Sequence, residues 1–364
     1  MKNNKSNFES QFQSFYSENH DFHVNQDYKI LGFPFKSGVK GDSISQIEFG
    51  LESLFKNGDL KNFKLIFNFE EKCTDFGVFK KDVLENIENY NPDMIFFENF
   101  QEIKSKPDPK ILDYLASLKI PLVYFEWNPW SMFRKRPTIF LRQFFEIIDI
   151  NFIKGSGTLF NVFEALGGRN ISFTVHPSNQ NLMNFDLTSN KKLFEISMFC
   201  NYWPSKLNIL NMDGVNKRYE IVSELKNFYG DKFKLFGKNW DQKFQSQVIN
   251  YSEVPEYQFY SKINLGWEHY SKIPYYFSNR LPNSYHLGVP YFSNPIIGLE
   301  SILPNYDFLT YKNTNGLIEK INTLMSDSNL YENISTTNKK FACDYFDIRR
   351  IFKFNINQIE TMYF

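Results

Sequence analysis

"DMIFFENFQEIKSKPDPKILDYLASLKIPLVYFEW", residues 93–127, decides the fold class. Two short runs in it, DMIFFEN (93–99) and PLVYFEW (121–127), are nearly continuous in apolar residues rather than alternating. Strands buried on both faces look like this, because helices cover a parallel sheet on both sides. Between them PKILDYLASLKI (109–120) reads as a helix. The stretch is a strand–helix–strand unit.

The same alternation runs outward in both directions. Upstream, YKILGFPF (28–35) is a strand, followed by the glycine-containing loop KSGVKGD and by SISQIEFGLESLF, a helix capped by Asp42 or Ser43. FKLIFNF (63–69) is a strand and FKKDVLENIENY a helix. Downstream come the helix PTIFLRQFFEII, the strand DINFIK, the helix GTLFNVFEALGG and the strand ISFTVHP. A polar, unpatterned stretch, SNQNLMNFDLTSNKK (178–192), reads as a linker, after which alternation restarts. LFEISMFCNY, KFKLFGKNW, INLGWEH and VPYFSN are strands; NKRYEIVSELKNFY, VPEYQFYSKI, RLPNSYHLG and GLIEKINTLMSD are helices. The tail DIRRIFKFNINQIETMYF is a long amphipathic helix. These readings predict an α/β protein of two Rossmann-like, doubly wound domains facing a cleft. The expected divisions are a polar N-terminal extension (1–27), a first domain (28–180), a second (181–345), and a C-terminal helix (346–364) packing back toward the first.

At 364 residues the chain exceeds the usual size of one core. Its 41 lysines and arginines balance its 41 aspartates and glutamates, so general binding to nucleic acid or an anionic membrane would require a local basic patch. Neither partner is expected. Aromatic residues make up 18%, mostly from 41 phenylalanines, a bias that A/T-rich codons suffice to explain. Cys73, Cys200 and Cys343 form no CxxC pair, which suits neither a disulfide framework nor a zinc site. With no apolar leader and no membrane-length apolar run, a cytoplasmic location is expected.

Ligands of doubly wound sheets bind at the carboxyl ends of strands, so polar residues just after strands are the candidates. Gly237 and Lys238 follow a strand directly; glycine permits close approach and lysine supplies a point charge for phosphate, although an ordinary glycine turn reads equally well. Arg218 opens a helix, where anions are favoured, or is a solvated surface arginine. In the first half, Gly38 and Gly41 could approach a diphosphate or acceptor, or simply connect strand to helix. Glu126 ends a strand and is a candidate general base, with the tryptophans beside it, Trp127 and Trp130, available to stack on a sugar or base. His176 and Glu98 also close strands. No Asp-x-Asp triplet, Walker motif or metal-spaced cluster occurs, and GSGTLF (155–160) lacks the third glycine of a dinucleotide fingerprint. No metal and no cofactor are expected.

SNRLPNSYHLGVPYFSN (278–294) is more specific: a short helix begins at Arg280, closes at Gly288, and gives way at once to a strand. This arrangement resembles that of glycosyltransferases of the two-Rossmann-domain (GT-B) kind, nearest the spore-maturation glycosyltransferase branch. There an arginine precedes a Phe-Glu-Ala-x-x-x-Gly helix. Arg280 matches the family arginine and Gly288 the family glycine. The family glutamate that usually holds the nucleotide ribose falls on Asn283, a departure that leaves a hydrogen-bonding amide in its place. FYGDKFKLFGKNW, VPEYQFYSKINLGWE and FLTYKNTNGLIEKINTLMSD resemble further family segments in order. The resemblance spans the second half; over the first half it is architectural. GWEHYSKIPYYFSNRL also sets Glu268 and Arg280 at nearly the spacing of the fucosyltransferase type, without that type's Asn-Ser and Thr-Glu.

The resemblance implies a metal-independent transferase that moves a sugar from a nucleotide-sugar, UDP- or GDP-linked, to an unknown acceptor. The second domain would bind the donor, with Arg280 and Lys238 neutralising the diphosphate and Asn283 and Ser284 holding ribose or phosphate. The first domain would bind the acceptor, with Glu126 or His176 the base if the reaction inverts. A non-catalytic nucleotide- or sugar-binding protein, and a nucleotide-sugar epimerase of the same fold, are the alternatives.

Overall fold

Six strands, β1 (Lys29–Phe33), β2 (Asn62–Leu65), β3 (Met94–Glu98), β4 (Leu122–Glu126), β5 (Ile150–Ile153) and β6 (Ile171–Phe173), form one sheet in the order β2-β1-β3-β4-β5-β6. Every neighbouring pair is parallel, as in Ile95 opposite Leu122 and Val123 opposite Ile150. These elements come from a computed structural model that describes residues 2–17, 22–35, 45–100, 105–127, 137–188, 191–205 and 214–364. All residues of β3, β4 and β5 are buried, which is why their sequences do not alternate. Aromatic rings fill the layers: Phe33 stacks on Phe97 at 5.0 Å and Phe125 on Phe152 at 5.0 Å.

The chain divides into two compact units, one comprising residues up to Val175 with Ile348–Phe364, the other His176–Asp347. The C-terminal helix Ile348–Tyr363 therefore belongs to the first unit, with Ile351, Phe352, Phe354, Ile356 and Ile359 buried. It lies on the helix Gln46–Lys56, where a Cβ at Gly50 would come 2.3 Å from the Phe352 ring. Arg349 forks onto Asp59, with Nη2 at 2.9 Å. Valine at Gly50 should cost about 1–3 kcal/mol by forcing the two helices apart. Urea unfolding checks this, and a variant as stable as the parent would show that the helices do not meet there.

The segment read as a polar extension is largely a helix, Lys2–Tyr16. Phe8, Phe12 and Phe15 recur at helical spacing, are buried, and pack against Phe173 of β6 at 5.6, 5.2 and 5.8 Å. Gln11 Oε1 accepts the Phe173 N–H at 2.9 Å, so the helix also covers the open edge of the sheet. The polar residues between the phenylalanines masked this amphipathic face in the sequence.

In the second unit β7 (Phe194–Phe199), β8 (Phe233–Phe236), β9 (Ser261–Leu265) and β10 (Tyr291–Phe292) form a parallel sheet ordered β10-β9-β7-β8. Helices Val215–Tyr229, Arg280–His286 and Thr314–Ser326 follow the sequence reading. The helix expected over VPEYQFYSKI stops at Phe259, and its last residues join β9. A further helix, Ser328–Tyr345, has no counterpart in that reading; it is rich in Ser, Thr and Asn, and Asp327 caps it by accepting the Leu330 N–H at 2.9 Å. Among the described residues no helix is long and apolar enough to cross a membrane.

Candidate functional site

Strand order reverses between β7 and β9 in the second sheet, and ligands of open parallel sheets lie outside the strand ends at such a reversal. Two arginines converge there. Arg280, the first residue of its helix, donates from Nη1 to the Phe199 carbonyl at 2.5 Å, from Nε to Ser278 Oγ at 2.7 Å, and from Nη2 to Glu268 Oε2 at 3.0 Å. Arg218, 2% exposed, reaches in from the helix Val215–Tyr229 and donates to the carbonyls of Trp267 and Asn201, the latter at 3.3 Å. Glu268 is held in turn by the Ser278 hydroxyl at 2.9 Å, and its backbone N–H is fixed by Asn294 Oδ1 at 2.7 Å.

Arg280 thus pairs with the buried Glu268 carboxylate, while Arg218, bonded to main-chain carbonyls, acts on it through its charge alone. Burial alone would raise the Glu268 carboxyl, but Arg280 and Arg218 outweigh it and hold the group below the ordinary carboxylate value. Burial and the neighbouring Arg280 lower Arg218. Burial opposes the charge on Arg280 as well, yet Glu268 overcomes it and the arginine is raised. Among these three buried groups two positive charges face one negative, and a surplus charge in a poorly solvated place attracts an anion more strongly than one in water.

Gly237 adopts φ +152°, and a Cβ there would stand 2.0 Å from the Cys200 carbonyl; only glycine lets the turn after β8 close onto the end of β7. Lys238 is bound at the same turn through its backbone N–H, which donates to Asn201 Oδ1 at 2.8 Å. Gly288, at φ +66°, ends the Arg280 helix. Arg218, Gly237, Lys238 and Arg280 are therefore gathered around the ends of β7, β8 and β9.

Ser284 is not with them. Its fully buried hydroxyl faces the core and accepts from Gln258 Nε2 at 2.8 Å and Asn264 Nδ2 at 3.0 Å. Asn283 Oδ1 accepts the Asn179 N–H at 2.8 Å.

The first sheet reverses between β1 and β3, and Glu98 ends β3 there. It is wholly buried and accepts from the Phe35 N–H at 3.0 Å, the Ile47 N–H at 3.3 Å and the Trp127 indole at 3.0 Å. Burial nevertheless outweighs these donors and pushes its carboxyl up to about 7. Trp127, only 3% exposed, is pinned to Glu98 and stacks on Phe125 at 5.6 Å. Glu126 is also fully buried and accepts from the Tyr124 hydroxyl at 2.8 Å. His176, at the first position of the second unit, is mostly buried. Gly38, Gly41, Asp42, Ser43 and Trp130 lie outside the described residues; the helix Gln46–Lys56 is capped by Ser45, which accepts the Glu48 N–H at 3.0 Å. Among the described residues, no three His, Cys, Asp or Glu side chains come together as a metal site.

Sequence reasoning met Glu268 only through the fucosyltransferase spacing and passed over Ser278 and Asn294. Glu268 does follow a strand, the signal that singled out Gly237 and Lys238.

Residues 217–353 match a family described as glycosyl transferase-like. No curated protein matches the chain in sequence. Solved structures do match over nearly their full length. The DNA modifying enzyme β-glucosyltransferase, solved with and without its substrate uridine diphosphoglucose, is similar with a TM-score of 0.57 at 15% identity, covering 92% of this chain and 99% of that one. Anabaena HepE in complex with UDP-glucose gives 0.55 at 14% identity over 92% and 99%. Sucrose-phosphate synthase from Thermosynechococcus elongatus gives 0.55 at 10% over 92% and 98%. At such identities the likeness speaks for architecture, and the architecture is plain: the chain has a GT-B type fold of two Rossmann-like α/β domains.

Proposed function

We propose that the protein is a glycosyltransferase that moves a sugar from a nucleotide-sugar to an acceptor, with the donor diphosphate held outside the ends of β7 and β9. The observation that carries this reading is the convergence of two buried guanidinium groups, Arg280 paired with Glu268 and Arg218 bonded to main-chain carbonyls, at the strand-order reversal. As the sugar leaves, negative charge develops on the diphosphate, and fixed positive charge in a dry crevice stabilises it. Lys238, at the adjoining turn, adds a point charge. The family match over 217–353 includes Arg218, Lys238, Glu268 and Arg280, and two of the similar structures were solved with UDP-sugars. The placement nearest the spore-maturation branch rests on Arg280 and Gly288. For an inverting transfer we assign the base to Glu126 or His176; a retaining one needs neither.

A ligand that binds only the folded state raises its melting temperature, by about 2.7 kcal/mol of added stability at a hundredfold excess over Kd. At least one nucleoside diphosphate or nucleotide-sugar should do so in a thermal-shift panel at millimolar concentration. No response from any of them defeats the reading. Slow release of free sugar from the stabilising donor, without epimer, then separates a transferase from a pure binder and from an epimerase.

A further inference from the structure

The chain enters the second unit at His176 and leaves it at Asp347. Entry and exit are tied together: Ser178 donates to the Phe346 carbonyl twice, from its N–H at 2.9 Å and from its hydroxyl at 3.1 Å. The next residue, Asn179, gives its N–H to Asn283 Oδ1 at 2.8 Å and its side-chain amide to the Tyr251 hydroxyl at 3.4 Å. Asn279, which precedes the Arg280 helix, also donates to Tyr251. An N–H donor can face only the oxygen of an amide, so the orientation of Asn283 is fixed by its partner. Asn283 is 1% exposed, and its Nδ2 has no partner among the described residues.

Arg280 and Asn283 stand three residues apart on a seven-residue helix, a spacing that sets two side chains on one side of it. One end of this short element grips the β7 and β9 crevice; its middle holds the incoming main chain. So short a helix has little internal freedom, and a shift at Arg280 moves Asn283 with it. We propose that Asn283 is a positioning residue that couples the Arg280 contact to the chain entry at Asn179, and that it does not ligate ribose. The ligand half of this coupling rests on the reading of the crevice as a diphosphate site.

The first test needs no ligand. Hydrogen exchange at the Asn179 amide should quicken about fivefold in Asn283→Ala, the effect of losing one net hydrogen bond, and should quicken likewise in Arg280→Lys, with β7 amides as the control for global opening. Asn283→Asp, which keeps the acceptor, should restore slow exchange. An Asn179 amide indifferent to Arg280→Lys overturns the coupling whatever the ligand result. The second test titrates uridine diphosphate and inorganic pyrophosphate into the wild type and Asn283→Ala. Coupling through Arg280 weakens both by the same factor; a ribose ligand weakens only the nucleotide, which would overturn the proposal. If the wild type binds neither, the diphosphate reading fails, and the exchange experiment still decides the coupling.

Discussion

Arg280→Ala is expected to lower stability by about 3–5 kcal/mol and to erase the melting-temperature rise given by a nucleoside diphosphate. The first effect arises because Glu268 would be left buried with only Arg218 nearby, while the Phe199 carbonyl and the Ser278 hydroxyl lose their donor. The second arises because the guanidinium is itself the proposed anion contact. Adding Glu268→Gln to the alanine variant should recover part of the stability but none of the nucleotide response, which separates folding from binding. The pair also carries a pH signature. The folded Glu268 carboxyl is lowered, so its stabilisation is fully present above the unfolded carboxylate value and is lost as pH falls through the folded one. Urea unfolding of wild type and Glu268→Gln between neutral and acid pH reads this directly. An alanine variant that unfolds like the wild type and still answers the nucleotide would remove Arg280 from the site.

Glu98 predicts the opposite slope. Its folded carboxyl is raised to about 7, so its contribution is complete below the unfolded carboxylate value and disappears as pH climbs through about 7. The difference is on the order of 3 kcal/mol, from roughly 1.4 kcal/mol per pH unit. Glu98→Gln cannot titrate and should flatten this limb, although at acid pH it should be less stable by about 1–3 kcal/mol, because an amide nitrogen would then face a backbone or indole N–H. Denaturation midpoints at pH 5 and pH 7.5 decide the matter: the same midpoint shift in both proteins would assign the pH dependence elsewhere.

What the sequence disclosed follows from how locally each feature is encoded. Strands β3, β4 and β5 were legible because burial on both faces leaves an unbroken apolar run. Arg280 and Gly288 were legible because a helix start and a glycine stop occupy neighbouring positions. The Lys2–Tyr16 helix was not, since Phe8, Phe12 and Phe15 are dispersed among Asn, Ser and Gln. The Ser328–Tyr345 helix was missed for the same reason: its buried side chains include Ile334 and Ala342 but also Asn338. Among site residues, the partnerships are what the sequence withheld. Glu268 with Arg280, Glu98 with Trp127, and Asn283 with Asn179 join different elements, and nothing local says which acceptor a donor will find. Ser284 shows the converse: a polar residue beside the motif whose hydroxyl is engaged by core amides.

The return of Ile348–Phe364 to the first unit bears on how the protein is made. The helix that packs on Gly50 and Asp59 is made only after the whole of His176–Asp347, so the first unit, begun earliest, is completed by residues that follow the second in the chain. Until it is made, the face of Gln46–Lys56 at Gly50 lacks the Phe352 ring that covers it. The unit begun first is the one whose last segment is made last.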